Sequence, residues 1–272
     1  MPNRSPGFRA EVLWQNWWGE VGAVLAASAR LVRREPLAYG RLALLYLLTR
    51  GSFSLVPYVA SEGAVLYLLA WTAGFLVELG VLAIMVATWR TAAAQSRGES
   101  LRMPSDFALR VARAVPYGFA WYLIVDFVMG YAAWGATDAL NALAGTEHGT
   151  AAFMAAQYLE GAPLAWIAAR LGFVLVGIGA DGRATLRESL AMTRGAVAPL
   201  CLTFLLWWVA RRAFTDAALF LLPMEASAAY LDWVARPLRA VVTVFFAVTA
   251  AVWYERLGRA VPAVNRNIEE SH

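Results

Sequence analysis

The chain has 272 residues, of which 60% are hydrophobic and only 15% are charged, so its composition lies far outside the range of soluble domains. Its cations are 23 arginines without a single lysine, and its two histidines and one cysteine exclude a histidine-based metal site and a disulfide framework. We therefore expect an all-α, polytopic membrane protein that binds neither a metal nor a cofactor.

The arginines are concentrated in every second loop. Seventeen of them lie in four stretches, at residues 4–41, 90–113, 183–194 and 256–266. The alternate stretches contain only Arg236 and Arg239. Because arginine-rich loops stay in the cytoplasm, this sorting predicts a multi-pass protein with both termini cytoplasmic. The bias toward Ala, Arg and Gly favours a bacterial inner membrane, and the basic isoelectric point then indicates anionic lipids as partners rather than nucleic acid.

The first predicted element is an amphipathic helix at residues 8–34. Apolar residues such as Trp14, Trp18 and Val21 recur there at helical spacing, and Pro36 ends the pattern. We expect this helix to lie in the cytoplasmic interface with its tryptophans at headgroup depth. The predicted interfacial anchors of the whole chain are Trp14, Trp17, Trp18, Trp89 and Trp253.

Six apolar stretches follow and form the rest of a single transmembrane domain covering residues 1–272. Each has about the 20 residues that are needed to cross the hydrocarbon core of a bilayer. The predicted spans are about 38–60, 63–89, 116–140, 151–180, 198–222 and 238–254. Short amphipathic helices are predicted before the third and fifth spans, near residues 105 and 184. This order indicates either a threefold internal repeat or ordinary insertion of helical hairpins.

Residues 169–195, ARLGFVLVGIGADGRATLRESLAMTRG, contain the most distinctive motif. The residues that match a known signature are Arg170, Leu171, Asp181, Gly182, Arg183, Ser189, Thr193, Arg194 and Gly195. On these residues the chain resembles a family of bacterial six-helix membrane proteins that includes the membrane domain fused to some glycerophosphodiester phosphodiesterases. The departures are Leu190, Met192 and Val176, where tryptophan, leucine and proline are usual. The resemblance implies a six-helix membrane fold and carries over no catalytic residue, because the phosphodiesterase chemistry belongs to a separate soluble barrel.

Several charged residues fall inside the apolar stretches, where each costs roughly 2.5–3.5 kcal/mol to insert. The candidate site among them consists of Glu78, Asp126, Arg170, Arg211, Arg212 and Asp216, and the others counted are Arg50 and Glu160. At about 1.5 Å of helical rise per residue, the first three lie near the membrane midplane. One interpretation is a polar cavity that binds a headgroup, an anion or a proton. The other is a structural network of ion pairs that locks the helices together.

The sequence T-L-R-E at residues 185–188 has the pattern of a capping box that begins a short helix. Arg183, Arg187 and Arg194 surround this helix at the expected cytoplasmic surface. The segment is either a plain helix start or, in addition, a place where these arginines contact lipid phosphates.

Catalysis has little support in the sequence. Ser52 and Ser189 have no histidine partner in the membrane, and no glycine-rich phosphate loop occurs. The first hypothesis is therefore a non-enzymatic membrane subunit or organiser that binds lipids, other membrane proteins or a second copy of itself. The alternatives are a small permease that uses the midplane charges and a membrane-embedded enzyme of lipid chemistry.

Overall fold

A computed structural model describes residues 17–53, 64–144, 161–221 and 228–269. These residues form nine α-helices and no strand, which confirms the predicted all-α class for the part of the chain described. The helices are α1 (Trp17–Arg34), α2 (Pro36–Phe53), α3 (Ala64–Arg97), α4 (Phe107–Ala144), α5 (Gly161–Leu171), α6 (Phe173–Asp181), α7 (Leu186–Thr193), α8 (Val197–Leu221) and α9 (Ala228–Glu269).

The described residues support fewer membrane spans than the six predicted. Three segments are long and apolar enough to cross a bilayer: Thr72–Arg97 in α3, Val197–Phe214 in α8 and Ala235–Gly258 in α9. A fourth span results if α5 and α6, which meet at a bend of 41°, are counted together. The predicted first span overlaps α2, whose 18 residues include Arg41 and Arg50 and which is not among the three; residues 54–60 of that prediction lie outside the described part.

Two of the predicted spans belong to longer helices. The short helix predicted near residue 105 and the span predicted at 116–140 belong to one helix, α4, which passes through Pro116. Side chains from residue 125 to 134 lie outside the described part of α4, so that span stays a prediction. The helix of the predicted last span is much longer than 238–254, because α9 extends over 42 residues.

α6 lies at the centre of the helix bundle and packs against α3, α4 and α9. All eight residues from 173 to 180 are buried, as expected for a helix that is apolar on every side. Two glycines permit its close contacts. A Cβ atom on Gly177 would lie 2.6 Å from the Cβ of Ala184, and one on Gly179 would lie 3.0 Å from the Cβ of Trp89.

α1 is attached to the bundle along one stripe of its surface. Its buried residues are Val21, Val24, Ser28 and Leu31, and they are spaced three or four positions apart on one face. This face packs against α8 and α9, and Glu20 adds an ion pair of 2.5 Å to Arg256. The stripe predicted to face the lipid interface is therefore used partly for protein packing, and the interfacial position of α1 stays a prediction.

Candidate functional site

The C-terminal end of α6 is held by two arginines of α4. Gly182 ends the helix with a φ of 78°, a conformation that favours glycine, and its N–H donates to the carbonyl of Ile178. Arg110 Nη1 donates to the carbonyls of Gly179 and Ala180 at 3.0 and 2.9 Å. Arg113 Nη1 donates to the carbonyl of Gly182 at 2.6 Å. These guanidinium groups satisfy carbonyls that a helix end leaves without partners and complement its negative dipole.

Arg97, at the end of α3, joins three helices through its side chain. Its Nη1 lies 2.7 Å from Oδ1 of Asp181 at the end of α6, and its Nη2 pairs with the carboxylate of Glu255 in α9. The Tyr254 hydroxyl donates to Oδ2 of the same Asp181 at 2.7 Å. Only 10% of the Glu255 side chain is exposed, so Arg97 neutralises a carboxylate that has little access to solvent.

We call this group of Arg97, Asp181, Tyr254 and Glu255, with Arg110 and Arg113, the polar joint. It is linked to α1 and α2 through Gln95, which is two residues from Arg97 in sequence. Gln95 accepts a hydrogen bond of 2.8 Å from the Tyr39 hydroxyl and donates one of 3.0 Å to the carbonyl of Leu31. Six helices thus meet through polar contacts at one end of the bundle.

Asp106 lies at the edge of the polar joint, just before α4. Its Oδ1 accepts a hydrogen bond of 3.0 Å from Nε of Arg110. This hydrogen bond holds the pKa of Asp106 below its ordinary value, against a smaller opposing effect of desolvation. Asp106 therefore stays ionised and helps to orient the guanidinium that caps α6.

Glu78 makes a two-point ion pair with Arg50 of α2. Nη1 of Arg50 lies 2.6 Å from Oε1, and Nη2 lies 3.2 Å from Oε2. The exposed fractions of the two side chains are 37% and 31% in the isolated chain. Both charges of this pair come from stretches predicted to lie in the membrane, so each provides the partner that the other needs.

Arg170 joins α5 to α7 instead of approaching Glu78. Its Nη1 lies 3.4 Å from the carbonyl of Leu190 and 3.5 Å from Oγ1 of Thr193. In return, the Ser189 hydroxyl donates to the carbonyl of Arg170 at 2.9 Å. Among the described residues, no contact connects Arg170 to Glu78, and the Asp126 side chain lies outside them. A cavity shared by the three residues therefore stays a prediction.

The predicted charges of α8 are described only in part. Arg211 places its guanidinium carbon 5.7 Å from the ring centroid of Trp207, within the range of a cation–π interaction. Arg211 and Arg212 are both half-buried. The predicted pairing of Arg212 with Asp216 falls outside the described residues, because it depends on the Asp216 side chain.

α7 presents a different surface. The predicted capping box is confirmed: the Thr185 hydroxyl accepts from the N–H of Glu188 at 3.2 Å, and the Glu188 carboxylate accepts from the N–H of Thr185 at 2.8 Å. Arg183, Arg187 and Arg194 are all exposed. Within the part of the chain that the structure describes, these three arginines form no ion pair.

The predicted tryptophan anchors divide into two groups. Trp17 and Trp18 are exposed, by 40% and 67%, whereas Trp89 and Trp253 are buried. Trp253 Nε1 donates to Oγ1 of Thr203 inside the bundle at 3.1 Å. Trp89 and Trp253 therefore pack between helices of the bundle, and their role as interfacial anchors stays a prediction. Trp14 lies outside the described residues.

Sequence reasoning missed most of the polar joint. Arg97 lies beyond the predicted end of the second span, and Tyr254 lies at the predicted end of the sixth span without a predicted role. Arg97 and Glu255 are 158 positions apart in the chain, so no local spacing could have paired them. The motif at residues 169–195 was the available signal, because it contains Asp181 and Gly182 from the joint and Arg170, Ser189 and Thr193 from the contact between α5 and α7.

Comparisons with protein-family models, curated proteins and solved structures found no match for this chain. The resemblance at residues 169–195 therefore stays a prediction. The described residues contain no group of three or more His, Cys, Asp or Glu side chains placed to hold a metal ion. What the structure does show is how the side chains of this motif connect neighbouring helices.

Proposed function

We propose that this chain is a multi-pass membrane protein without catalytic chemistry of its own, which acts as a lipid- or partner-binding subunit or organiser. One observation carries the proposal. The internal charges at Arg50, Glu78 and Arg97 are used for contacts between helices, whereas the arginines around α7 remain exposed. The charges between helices therefore stabilise the fold, and the exposed arginines of the surface are the groups that can bind a ligand.

The arrangement of the polar joint supports a cytoplasmic position for this end of the molecule. The arginine-rich stretch 90–113 meets residues beside two others there, since Arg97 contacts Asp181, just before the stretch 183–194, and Glu255, just before the stretch 256–266. A concentration of arginine at one end is typical of the cytoplasmic side of bacterial inner-membrane proteins. The full set of six spans, with both termini in the cytoplasm, belongs to this proposal.

A second candidate, a small permease, is favoured by the break between α5 and α6. The two helices meet at 41° near Gly172, two residues beyond Arg170. Transporters commonly place their substrate sites at such discontinuous helices. Two contacts argue against this candidate. The Arg170 guanidinium donates to the carbonyl of Leu190 in α7, and the Ser189 hydroxyl donates to the carbonyl of Arg170 near the break.

Labelling at the break distinguishes the two candidates. Cys201 is the only cysteine of the chain, so Cys201→Ser provides a cysteine-free background into which Leu171→Cys is introduced. A permease with alternating access would let a membrane-impermeant thiol reagent reach residue 171 from both sides of the membrane. We expect labelling from one side at most.

Native mass spectrometry of the full chain, extracted gently from the membranes of its own host, tests the proposed function. We expect the protein to emerge with a stoichiometric second polypeptide, a second copy of itself or retained lipid. Emergence of the chain alone, without lipid, from extractions in which other membrane complexes survive would contradict a binding role.

A further inference from the structure

α7 lies between the ends of two candidate membrane spans. α6, the second half of the bent span, ends at Asp181, and the span in α8 begins at Val197. A helix of only eight residues that connects two such ends lies close to the boundary of the hydrocarbon core. Lipid phosphates are found at this depth, so the exposed side of α7 is within reach of headgroups.

The opposite side of α7 is fixed to the bundle. Ser189 is 3% exposed and Thr193 is fully buried. The Ser189 hydroxyl donates to the carbonyl of Arg170, and the capping box fixes the first turn through Thr185 and Glu188. These contacts fix the rotation of α7 about its own axis. Its exposed residues therefore keep the same orientation relative to the bundle.

The exposed residues in and around α7 include positive charge and an apolar group. Arg187 and Arg194 are seven residues apart, which places them on the same side of the chain two helical turns from each other. Arg183 lies in the turn before α7, and Leu186, at the first position of the helix, is 44% exposed. Exposed arginines next to an exposed leucine are typical of segments that bind the surface of a bilayer.

The neighbouring carboxylates leave this positive charge uncompensated. Glu188 accepts the backbone N–H of Thr185 within the capping box. Asp181 lies 2.7 Å from Arg97 and accepts a hydrogen bond from Tyr254. Among the described residues, neither carboxylate pairs with an arginine of the α7 surface.

We infer that Arg183, Arg187 and Arg194 bind the phosphate groups of anionic glycerophospholipids in the cytoplasmic leaflet, while Leu186 contacts their acyl chains. This inference rests on the proposed function and specifies its ligand. The attraction of arginine to an anionic leaflet contributes roughly a fivefold gain in affinity per residue. Loss of all three should therefore reduce the affinity on the order of a hundredfold.

The test uses the purified full chain in detergent micelles that contain equal amounts of phosphatidylglycerol and phosphatidylcholine. Native mass spectrometry measures the amount of each lipid that the protein retains. The α7 triple variant carries Arg183→Gln, Arg187→Gln and Arg194→Gln. We expect the wild-type protein to retain phosphatidylglycerol in preference to phosphatidylcholine, and we expect the α7 triple variant to lose this preference.

A matched control removes three other exposed arginines of the same chain, by Arg33→Gln, Arg34→Gln and Arg41→Gln. It changes the net charge by the same amount but leaves α7 intact. The control should retain phosphatidylglycerol within about threefold of the wild type. A preserved thermal unfolding transition shows that each variant is folded. If the α7 triple variant does not fold, the single variant Arg187→Gln replaces it in the lipid measurement.

Two results would overturn the inference. Equal losses of phosphatidylglycerol in the two triple variants would show that only the total charge matters. Unchanged retention in the α7 triple variant would exclude lipid as the ligand, even if a bound polypeptide were lost, in which case this surface binds protein. The proposed function fails separately, when the wild-type chain retains neither lipid nor polypeptide.

Discussion

α6 and α7 follow one another in the chain, separated only by residues 182–185, yet they use arginine in opposite ways. Around the end of buried α6, the guanidinium groups of Arg97 and Arg110 bind carboxylates and carbonyls of the bundle. Around α7, Arg183 and Arg187 remain exposed and belong to no described ion pair. Arginine thus stabilises the fold where it finds a partner inside the protein, and it is available to ligands where it does not.

The largest loss of stability is expected from Arg97→Gln. This change removes the guanidinium that pairs with the mostly buried carboxylate of Glu255, which costs on the order of 3 kcal/mol of unfolding free energy. Thermal unfolding of the detergent-solubilised protein should show a clearly lower midpoint. Arg187→Gln, which also removes one arginine, should change the unfolding free energy by no more than about 0.5 kcal/mol. Equal effects of the two substitutions would remove the distinction between the two regions.

The loss caused by Arg97→Gln should depend on Glu255. If the loss of charge neutralisation at Glu255 is the cause, Arg97→Gln with Glu255→Gln should be more stable than Arg97→Gln alone. Asp181 would still lack its guanidinium partner, so recovery should be partial. Absence of any recovery would indicate that Arg97 acts through packing and not through its charge.

A smaller loss is expected from crowding α6. In Gly177→Ala, the new methyl group would lie 2.6 Å from the Cβ of Ala184, so the backbone has to move. Overpacking of this kind typically costs about 1–3 kcal/mol. The matched change Gly22→Ala lies on α1, where no atom is within 4 Å of the new Cβ, and it should stabilise its helix by up to about 1 kcal/mol. The thermal midpoints should therefore shift in opposite directions.

The ion pair between Arg50 and Glu78 should contribute on the order of 1 kcal/mol. The measurement is a double-mutant cycle of Arg50→Gln and Glu78→Gln in bilayer nanodiscs. Each single change leaves one charge unpaired, so the double variant should be more stable than the sum of the single effects predicts. Strict additivity would mean that the two residues are not partners in the membrane and would revive the cavity interpretation for Glu78.

The smallest effect concerns pH and Asp106. Because its pKa is lowered in the folded protein, Asp106 stabilises the fold above its ordinary pKa, near pH 4. This contribution is lost as the pH falls through the lowered pKa. Unfolding midpoints measured from pH 6 to pH 3 should therefore decline more steeply in the wild type than in Asp106→Asn. Parallel curves would indicate that Asp106 does not help to orient Arg110.

The sequence predicted the elements whose signals are local. The helical class, the apolar stretches of α3, α8 and α9, and the capping box at Thr185 each depend on the spacing of residues within one segment. The bend of 41° between α5 and α6 lies near Gly172, where no proline marks it. Pro163 lies in the first turn of α5, where proline is tolerated.

The contacts between helices could not be predicted in the same way. Glu78 and Arg170 were grouped because they lie at similar depths, but depth does not define which neighbour a helix faces. The structure gives them separate partners, Arg50 and the groups of α7. The sequence likewise indicated an interfacial position for Trp89 and Trp253, but their direction into the bundle depends on how α3, α6, α8 and α9 pack.

The opposite roles of the two regions are tested most directly by measuring two quantities on the same preparations. The variants are Arg97→Gln and the α7 triple variant, and the quantities are the thermal midpoint and the retained phosphatidylglycerol. We expect Arg97→Gln to lower the midpoint while keeping the lipid, and we expect the α7 triple variant to keep the midpoint while losing the lipid. If both variants lost stability and lipid together, the division between structural arginines in the polar joint and binding arginines around α7 would be wrong.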